Sequence, residues 1–317
     1  MKVLLTGAFG NVGANTLESL IEQGHKVTCF DVKTKANVKV AKRFKDKVDI
    51  VWGDLRRPED IAGAVKDHDA VVHLAYIIPP ASEKNPALSK EINVGGTRNL
   101  LDALKSLPKP PKLIFSSSIS VYGPTPDREP PRRWNDPVCA TDNYTHHKVE
   151  CEKMVQESGL NWSILRFAAV PLLGQVDPMM FEVPLNNRIE YAHPRDVGLA
   201  VANAVSCNEA FGRILLIGGG PKGQFLYKEY LTGLMDSAGI GMPPDEAFTT
   251  RPFYTDWMDT EESQRLLKYQ RYPFEQYVKE MPAALGYRYH MSKILRPLIR
   301  KFILSKSPYY KSQKKTA

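Results

Sequence analysis

Apolar residues along the chain form short, nearly continuous runs that alternate with segments of helical periodicity. The runs are rich in valine, isoleucine and leucine, and they lie at residues 2–7, 25–32, 48–54, 70–76, 112–118, 161–170 and 213–220. The intervening segments repeat apolar positions every three or four residues, which predicts amphipathic helices. These segments lie at residues 11–23, 58–66, 90–106, 144–159 and 193–205. Strands that alternate with helices predict a parallel sheet covered by helices on both faces.

The predicted fold class is therefore α/β, a Rossmann-like doubly wound parallel sheet with a small C-terminal substrate lobe. Acidic residues predict where two of the helices begin. Asp196 is expected to cap the helix at 193–205, and Asp259 with Glu262 forms a capping-box pattern ahead of a helix at 259–267. The predicted organisation is a main domain at 1–170 that also receives 193–220, a lobe at 171–192 and 221–287, and a basic amphipathic tail at 288–317.

Charge is distributed unevenly. The formal net charge is +8, but nine basic residues and no acidic residue lie between Arg288 and Ala317. The remaining 34 basic residues face 35 acidic ones, so residues 1–287 carry a net charge of −1. A nucleic-acid-binding function for the main domain is therefore not expected. The four cysteines form no CxxC pair, and no targeting or membrane-spanning segment is recognised, which favours a cytoplasmic location.

A glycine-rich turn follows the first predicted strand. TGAFGNVG places Gly7, Gly10 and Gly13 between this strand and the first helix, where a tight turn and free amides can hold a pyrophosphate. Asp31 ends the second strand, where a carboxylate can accept hydrogen bonds from a ribose diol and would repel a 2′-phosphate. The expected cofactor is NAD, and NADP is disfavoured, although Lys33 and Lys35 follow closely.

The ordered motifs resemble those of the extended short-chain dehydrogenase/reductase family, the NAD-dependent epimerase/dehydratase group. The resemblance covers roughly residues 1–220 and implies cofactor contacts beyond the three glycines and Asp31. The implied positions are Phe9, Asn11 and Val12 of the turn, Asp54 and Leu55 after the third strand, Leu74, Ala75 and Tyr76 after the fourth, and Asn93 in the following helix. It also gives Ser118, the third serine of IFSSSISVYG, the position of the catalytic serine.

Tyr144 and Lys148 are four residues apart on one predicted helix, so their side chains can converge. A nearby ammonium group favours the phenolate, and a tyrosine with a lowered pKa can exchange a proton with an alcohol. The resemblance implies that Lys148 also binds the nicotinamide ribose. His146 and His147 lie between them, but adjacent histidines diverge by about 100° on a helix. We therefore predict packing or surface roles for them and no metal site.

The family pattern fails after the sixth strand. Ala169 stands where nucleotide-sugar enzymes carry an asparagine, and neither Arg188 nor Arg195 is a clear counterpart of the arginine that grips the diphosphate. A nucleotide-sugar substrate is thereby put in doubt. Residues of the lobe would form a core or accommodate an apolar substrate. They are Met179, Met180, Phe181, Phe225, Tyr227, Phe253, Tyr254 and Trp257.

The basic tail admits two interpretations. Ile294, Leu298 and Phe302 recur on one side of a helix at 291–304, with Pro297 near its first turn and basic residues elsewhere. This pattern is typical of an interfacial helix at a membrane, and equally of a helix docked on the body with a solvated basic end. By analogy with the family, a homodimer is also expected.

The predicted function is hydride transfer at a secondary alcohol or ketone by an NAD-dependent oxidoreductase. Two alternatives stay open at this point. The first is a nucleotide-sugar epimerase or dehydratase that retains NAD tightly. The second, of another class, is a dinucleotide-binding regulatory protein without turnover. The substrate itself is expected to be a small molecule.

Overall fold

In the computed structural model, the described residues are 1–172 and 179–313. A few sequence-based assignments fall partly outside them, namely residues 173–178 of the predicted lobe and residues 314–317 of the tail. The rest of the chain folds around one seven-stranded sheet and one two-stranded sheet.

The central sheet is parallel throughout, in the order β3-β2-β1-β4-β5-β6-β8. Its strands are β1 (Lys2–Thr6), β2 (Lys26–Asp31), β3 (Asp49–Trp52), β4 (Ala70–His73), β5 (Lys112–Ser118), β6 (Trp162–Phe167) and β8 (Arg213–Ile217). The smaller sheet pairs β7 (Arg188–Glu190) with β9 (Gln224–Leu226) in antiparallel fashion. The strand order reverses direction between β1 and β4, and ligands of such sheets bind outside the carboxyl ends of the strands at this point.

The helices of the first half are α1 (Asn11–Glu22), α2 (Lys35–Ala41), α3 (Pro58–Ala64), α4 (Ala81–Lys84), α5 (Pro86–Lys90), α6 (Gly96–Lys105) and α7 (Asn143–Gln156). Those of the second half are α8 (Pro194–Ser206), α9 (Tyr227–Ser237), α10 (Glu261–Leu267), α11 (Phe274–Leu285), α12 (Tyr287–Ile294), α13 (Arg296–Leu304) and α14 (Pro308–Gln313). A π-helical turn, Glu91–Gly95, joins α5 to α6.

The strands are apolar because both faces of the sheet are covered. On β1, Val3 and Leu5 pack into the layer of α1 and α8, while Leu4 packs into the layer on the opposite face. All three side chains are buried. The predicted doubly wound α/β fold is confirmed, and each predicted strand corresponds to a strand of the central sheet.

A third core lies in the part of the chain formed by β7, β9, α9 and α11–α14. It contains Met180, Phe181, Tyr191, Tyr227 and Phe274, together with Ile303 of α13. Many of its contacts are aromatic, such as the 5.2 Å separation between the Tyr191 and Phe274 ring centroids. These residues form a substructure beside the carboxyl edge of the main sheet.

Two predicted helix caps were wrong. The α8 helix is capped by His193, whose Nδ1 accepts from the Arg195 amide at 3.0 Å. The Asp196 carboxylate instead accepts the amides of Arg271 and Tyr272. At α10, Asp259 accepts from the Glu261 amide, while Glu262 pairs with Arg213, so the expected capping box does not form. Distant partners hold Asp196 and Glu262, and α10 begins at Glu261 with Thr260 at its N-cap position.

Candidate active site

The fold requires glycine at two of the three glycine positions of the loop, and it does not require glycine at the third. Gly7 has φ +67°, and a Cβ there would lie 2.6 Å from the Ala75 amide nitrogen. A Cβ at Gly13 would lie 2.0 Å from the Gly7 carbonyl oxygen. At Gly10, which is exposed at the N-terminus of α1, a Cβ would meet only that same carbonyl, at 3.5 Å. The protein itself therefore leaves room at Gly10, as a close approach by a phosphate requires.

Asp31 lies beside this loop at the end of β2. Its Oδ2 accepts the Phe9 amide at 3.0 Å, and its Oδ1 accepts from Val32 N and from Asn37 Nδ2. Burial raises the pKa of Asp31, and the amides of Phe9 and Val32 act in the opposite direction. The carboxylate is thus fixed at the loop. Sequence reasoning did not identify Asn37, which reaches Asp31 from α2.

The other residues of the turn are held in place by the body of the fold. Asn11 donates to the Pro171 carbonyl at 3.3 Å, and Val12 packs against the core. The Phe9 ring lies 5.4 Å from that of Trp52.

The segment after β4 is held against the loop. The Ala75 amide donates to Thr6 Oγ1 at 3.3 Å, and Leu74 packs into the core. The buried Asn93, in the π-helical turn, accepts from the Ile77 amide at 2.8 Å and donates to the Ile77 carbonyl at 2.9 Å. Asn93 therefore braces this segment through its backbone.

Asp54 and Leu55 follow β3 at the same edge. The Asp54 carboxylate is bound by the Arg56 guanidinium, with Nη2 and Oδ2 at 2.6 Å, and this hydrogen bond lowers the pKa of Asp54. Leu55 is buried against Gly96, where a Cβ would lie 2.8 Å from the Leu55 Cβ.

Ser118 and Tyr144 come together at the carboxyl end of β5. Ser118 ends the strand, and its Oγ accepts from Ser120 N at 3.2 Å and from Ser120 Oγ at 2.8 Å. Tyr144 lies in the first turn of α7. Burial raises the pKa of Tyr144 to about 12, a hydrogen bond with Ser118 acts to lower it, and Asp142 acts to raise it. The two hydroxyls can thus contact one substrate oxygen.

Lys148 is fully buried beneath these residues. Its Nζ donates to the Ser116 carbonyl at 2.6 Å and lies 3.5 Å from the centroid of the Tyr76 ring. The Tyr144 centroid is farther, at 5.9 Å. Burial lowers the pKa of Lys148 to about 7. The aromatic ring nearest to the Lys148 ammonium group is therefore that of Tyr76 and not that of Tyr144.

Sequence reasoning missed Glu83 at the site, and it assigned Tyr254 to the lobe without connecting it to Tyr144. Glu83 of α4 accepts the amides of Asn143 and Tyr144, at 3.2 and 3.1 Å, and so caps the first turn of α7. Tyr254 lies near the opposite side, with a hydrogen bond to Asp142 and an electrostatic influence from Tyr144 that help to raise its pKa beyond the effect of burial. Neither follows a local motif, since both arrive from distant segments.

The two histidines of α7 have separate surroundings. His146 is exposed, whereas His147 is buried with its Nδ1 3.5 Å from Asn93 Nδ2. Within residues 1–172 and 179–313, no group of three or more His, Cys, Asp or Glu side chains is arranged to hold a metal ion. The four cysteines are free thiols.

The two arginines considered as diphosphate ligands are engaged elsewhere. Arg188 pairs with the buried Asp256, with Nε and Oδ1 at 2.5 Å, and its Nη2 donates to the Thr125 carbonyl. Arg195 pairs with Glu280 and lies 4.0 Å from the centroid of the Tyr272 ring. Both guanidinium groups therefore connect parts of the fold.

The apolar residues singled out in the lobe divide into two groups. Met180, Phe181 and Tyr227 are buried in its core. Phe253 and Tyr254 are half-buried and stacked, with centroids 4.1 Å apart, at the side that faces Asp142 and Tyr144. Met179, Phe225 and Trp257 are also half-buried.

The switch-point crevice, the glycine loop and the Ser118–Tyr144 pair are features typical of dinucleotide-binding α/β proteins. A model described as "NAD dependent epimerase/dehydratase family" matches residues 3–174, more than half of the chain. The chain belongs to this family, which confirms the resemblance seen in the motifs.

Individual relatives are diverse. The chain is 32% identical over 129 residues to CDP-paratose 2-epimerase of Salmonella typhi, which covers 39% of this chain and 38% of that protein. It is 30% identical over 193 residues to 3-beta-hydroxysteroid dehydrogenase of Mycolicibacterium neoaurum, and this match covers 59% of this chain and 51% of that protein. The chain thus spans about half or less of the length of these curated relatives.

Among solved structures, a UDP-glucuronic acid 4-epimerase mutant from Bacillus cereus superposes with a TM-score of 0.78. The match covers 90% of this chain and 99% of that one at 18% identity, so the likeness concerns the fold. That structure contains NAD and UDP-4-deoxy-4-fluoro-glucuronic acid.

Proposed function

We propose that this protein is an NAD-dependent oxidoreductase of the extended short-chain dehydrogenase/reductase type, acting at a secondary alcohol or ketone. The observation that carries the proposal is the pairing of the Ser118 and Tyr144 hydroxyls at the carboxyl end of β5. This pair lies on the same edge of the sheet as the glycine loop that follows β1.

The residues of the crevice fit a dinucleotide. Gly10 leaves space at the N-terminus of α1, where free amides favour a pyrophosphate. The fixed Asp31 carboxylate favours a ribose diol over a 2′-phosphate, which supports NAD over NADP. Leu74, Ala75 and Tyr76 would line the cofactor, and Asn93 supports that segment. When bound, NAD supplies the hydride acceptor for an alcohol, or the hydride donor for a ketone.

We assign the proton transfer to Tyr144, whose phenol exchanges a proton with the substrate oxygen. Ser118 would donate a hydrogen bond to that oxygen and orient it. Lys148 would favour the phenolate and bind the ribose. This role rests on the spacing of the two residues, which lie four positions apart on α7.

An apolar substrate is favoured by the surroundings of Tyr144. The stacked Phe253 and Tyr254 approach it from the lobe, and aromatic rings are suited to binding apolar molecules. Arg188 and Arg195 are held by carboxylates and are poorly placed to bind a diphosphate.

A nucleotide-sugar epimerase or dehydratase is the second candidate. It is favoured by the similarity to CDP-paratose 2-epimerase. A dinucleotide-binding protein without turnover is a third candidate, which the Ser118–Tyr144 pair disfavours because a scaffold has no chemical need for it.

Mass spectrometry of small molecules that co-purify with the protein tests the order in which we place these candidate functions. We expect NAD without a sugar nucleotide. Retention of a UDP- or GDP-sugar beside NAD would place the nucleotide-sugar enzyme first.

The Tyr144→Phe variant tests the mechanism. A panel of apolar secondary alcohols and ketones would be assayed with NAD and NADP, and we expect kcat to fall by about 100-fold or more in the variant. NAD binding, followed by calorimetry, should persist. Tyr287→Phe is the matched control, since that tyrosine is 79% exposed on α12. Full activity in Tyr144→Phe would contradict the mechanism whatever the substrate.

A homodimer, a cytoplasmic location and a peripheral membrane contact through 291–304 also belong to the proposal. In the described part of the chain, no helix is both long and apolar enough to span a bilayer.

A further inference from the structure

The helices α12 and α13 are docked on the third core by a narrow set of contacts. Ser292 Oγ donates to the Ala238 carbonyl at 2.6 Å, and Arg296 Nε donates to the Ile240 carbonyl at 2.9 Å. Ile303 is buried in that core and Ile299 packs against it. After α13, Ser307 Oγ donates to the Ala247 carbonyl. The segment therefore has a defined orientation on the protein.

The same orientation turns most of its large apolar side chains towards solvent. Tyr287 is 79% exposed, Ile294 73%, Leu298 64% and Phe302 62%, and Met291 and Leu295 are exposed to a lesser degree. These six residues, here called the outer apolar face, are concentrated within sixteen consecutive positions of the chain. A concentration of exposed apolar side chains of this kind favours an interaction site.

The chain segment that carries the outer apolar face has charges of one sign. Between Arg288 and Ala317 the chain has nine basic residues and no acidic one. Lys293, Lys301 and Lys306 are exposed among the apolar residues. The last of these lies 5.0 Å from the centroid of the Phe302 ring.

We propose that α12 and α13 form a docking surface for an anionic lipid bilayer. The outer apolar face would enter the boundary between headgroups and acyl chains, while the surrounding lysines would bind anionic headgroups. A second copy of this chain would bring the same positive charge to the interface, where like charges repel. An anionic bilayer is complementary to both properties of the surface.

Insertion of the apolar side chains and attraction of the lysines to anionic headgroups can be measured separately with the full chain. Flotation with vesicles of phosphatidylcholine doped with phosphatidylserine should show binding, and pure phosphatidylcholine should bind far less. The variant Leu298→Ser with Phe302→Ser should weaken binding by at least about tenfold because it removes inserted apolar area. The variant Lys301→Gln with Lys306→Gln should weaken it about 25-fold and flatten its dependence on salt.

Val138→Ser is the matched control, since Val138 is also apolar and 42% exposed but lies on the loop before α7. It should bind vesicles like the unmodified protein, and circular dichroism should show that all variants fold. Equal binding to both vesicle types, or binding unaffected by the two double variants, would overturn the proposal. So would a dimer in light scattering that the Leu298/Phe302 variant converts to a monomer while vesicles are not bound. None of these readouts uses substrate or NAD, so they are independent of the proposed reaction.

Discussion

At the residue scale, Lys148 combines burial with a proposed chemical role. Water is excluded from its ammonium group, and the groups that compensate are the Ser116 carbonyl and the face of the Tyr76 ring. A cation over an aromatic ring gains about 1–2 kcal/mol when desolvated. This gain is smaller than the usual cost of burying an unpaired charge. We infer that Lys148 is kept for function at the expense of stability.

Replacing Lys148 by methionine should therefore stabilise the protein while reducing activity. We expect the free energy of unfolding near neutral pH to rise by about 1–3 kcal/mol, measured by urea denaturation. The folded-state pKa is about 7, well below that of an unfolded lysine, so folding releases a proton between these values. The free energy of unfolding of the unmodified protein should then rise with pH in this window. The difference in stability between the methionine variant and the unmodified protein should shrink accordingly.

Curves for the two proteins that stay parallel between pH 7 and pH 10 would contradict this assignment. Lys153→Met provides the matched control, because Lys153 lies on the same helix with its side chain 73% exposed. Its substitution should leave the pH dependence unchanged.

At the scale of elements, α7 is held at two points along its length, at its first turn and at Glu152. Glu83 binds its first amides, and the buried Glu152 forms an ion pair with Arg166 of β6, with Oε2 and Nη2 at 2.6 Å. Arg166 Nη1 also donates to the Tyr122 hydroxyl at 2.7 Å. The position of Tyr144 thus depends on residues in α4 and β6 as well as on its own helix.

Glu83→Gln should loosen the start of α7. The carboxylate accepts from two amides and from Asn143 Nδ2, and a glutamine offers only one acceptor oxygen. We expect a loss of about 1–2 kcal/mol in the free energy of unfolding at neutral pH. Although burial acts to raise it, hydrogen bonds from Asn143 and Ser82 hold the pKa of Glu83 below its usual value.

This stabilisation is present at neutral pH and is lost as the pH falls through the folded-state pKa of Glu83. The difference between the two proteins should consequently close in acid. Glu157→Gln, at the exposed C-terminal end of α7, should change stability by less than about 0.5 kcal/mol. A comparable loss in both variants would show that the cap has no special role.

Some of these elements and site residues could be predicted from the sequence, and others could not. The strands, α1 and the Tyr144–Lys148 helix were predictable because hydrophobic periodicity and glycine turns are local signals. Glu83 and Asn37 were not, because each reaches the site from another element, and no short-range pattern encodes that approach. The cap assigned to Asp196 was wrong for the same reason, and the capping box of Asp259 failed because Glu262 pairs with the distant Arg213. The tail was predicted as one helix, but it breaks at Leu295, and Pro297 lies in the first turn of α13.

At the scale of the whole molecule, the tail closes the third core as well as carrying the excess charge. Ending the chain after Gly286 removes Ile303 and the hydrogen bonds to Ala238, Ile240 and Ala247. Amide hydrogen exchange should then accelerate in residues 238–248 by about tenfold or more. Exchange in β4, at the centre of the main sheet, serves as the internal reference and should not change. Uniform acceleration in both regions would mean that the tail stabilises the entire fold.

The π-helical turn at Glu91–Gly95 has a consequence for how this chain can diverge from its relatives. A π turn holds one residue more than an α-helix would need to cover the same length. Here the turn contains Asn93, whose side-chain amide holds the chain after β4 through the backbone of Ile77. A lineage that loses a single codon in this helix would keep its helix and its core but turn the asparagine away by about 100°. Helix length at this point should therefore vary only together with the residues at 75–77.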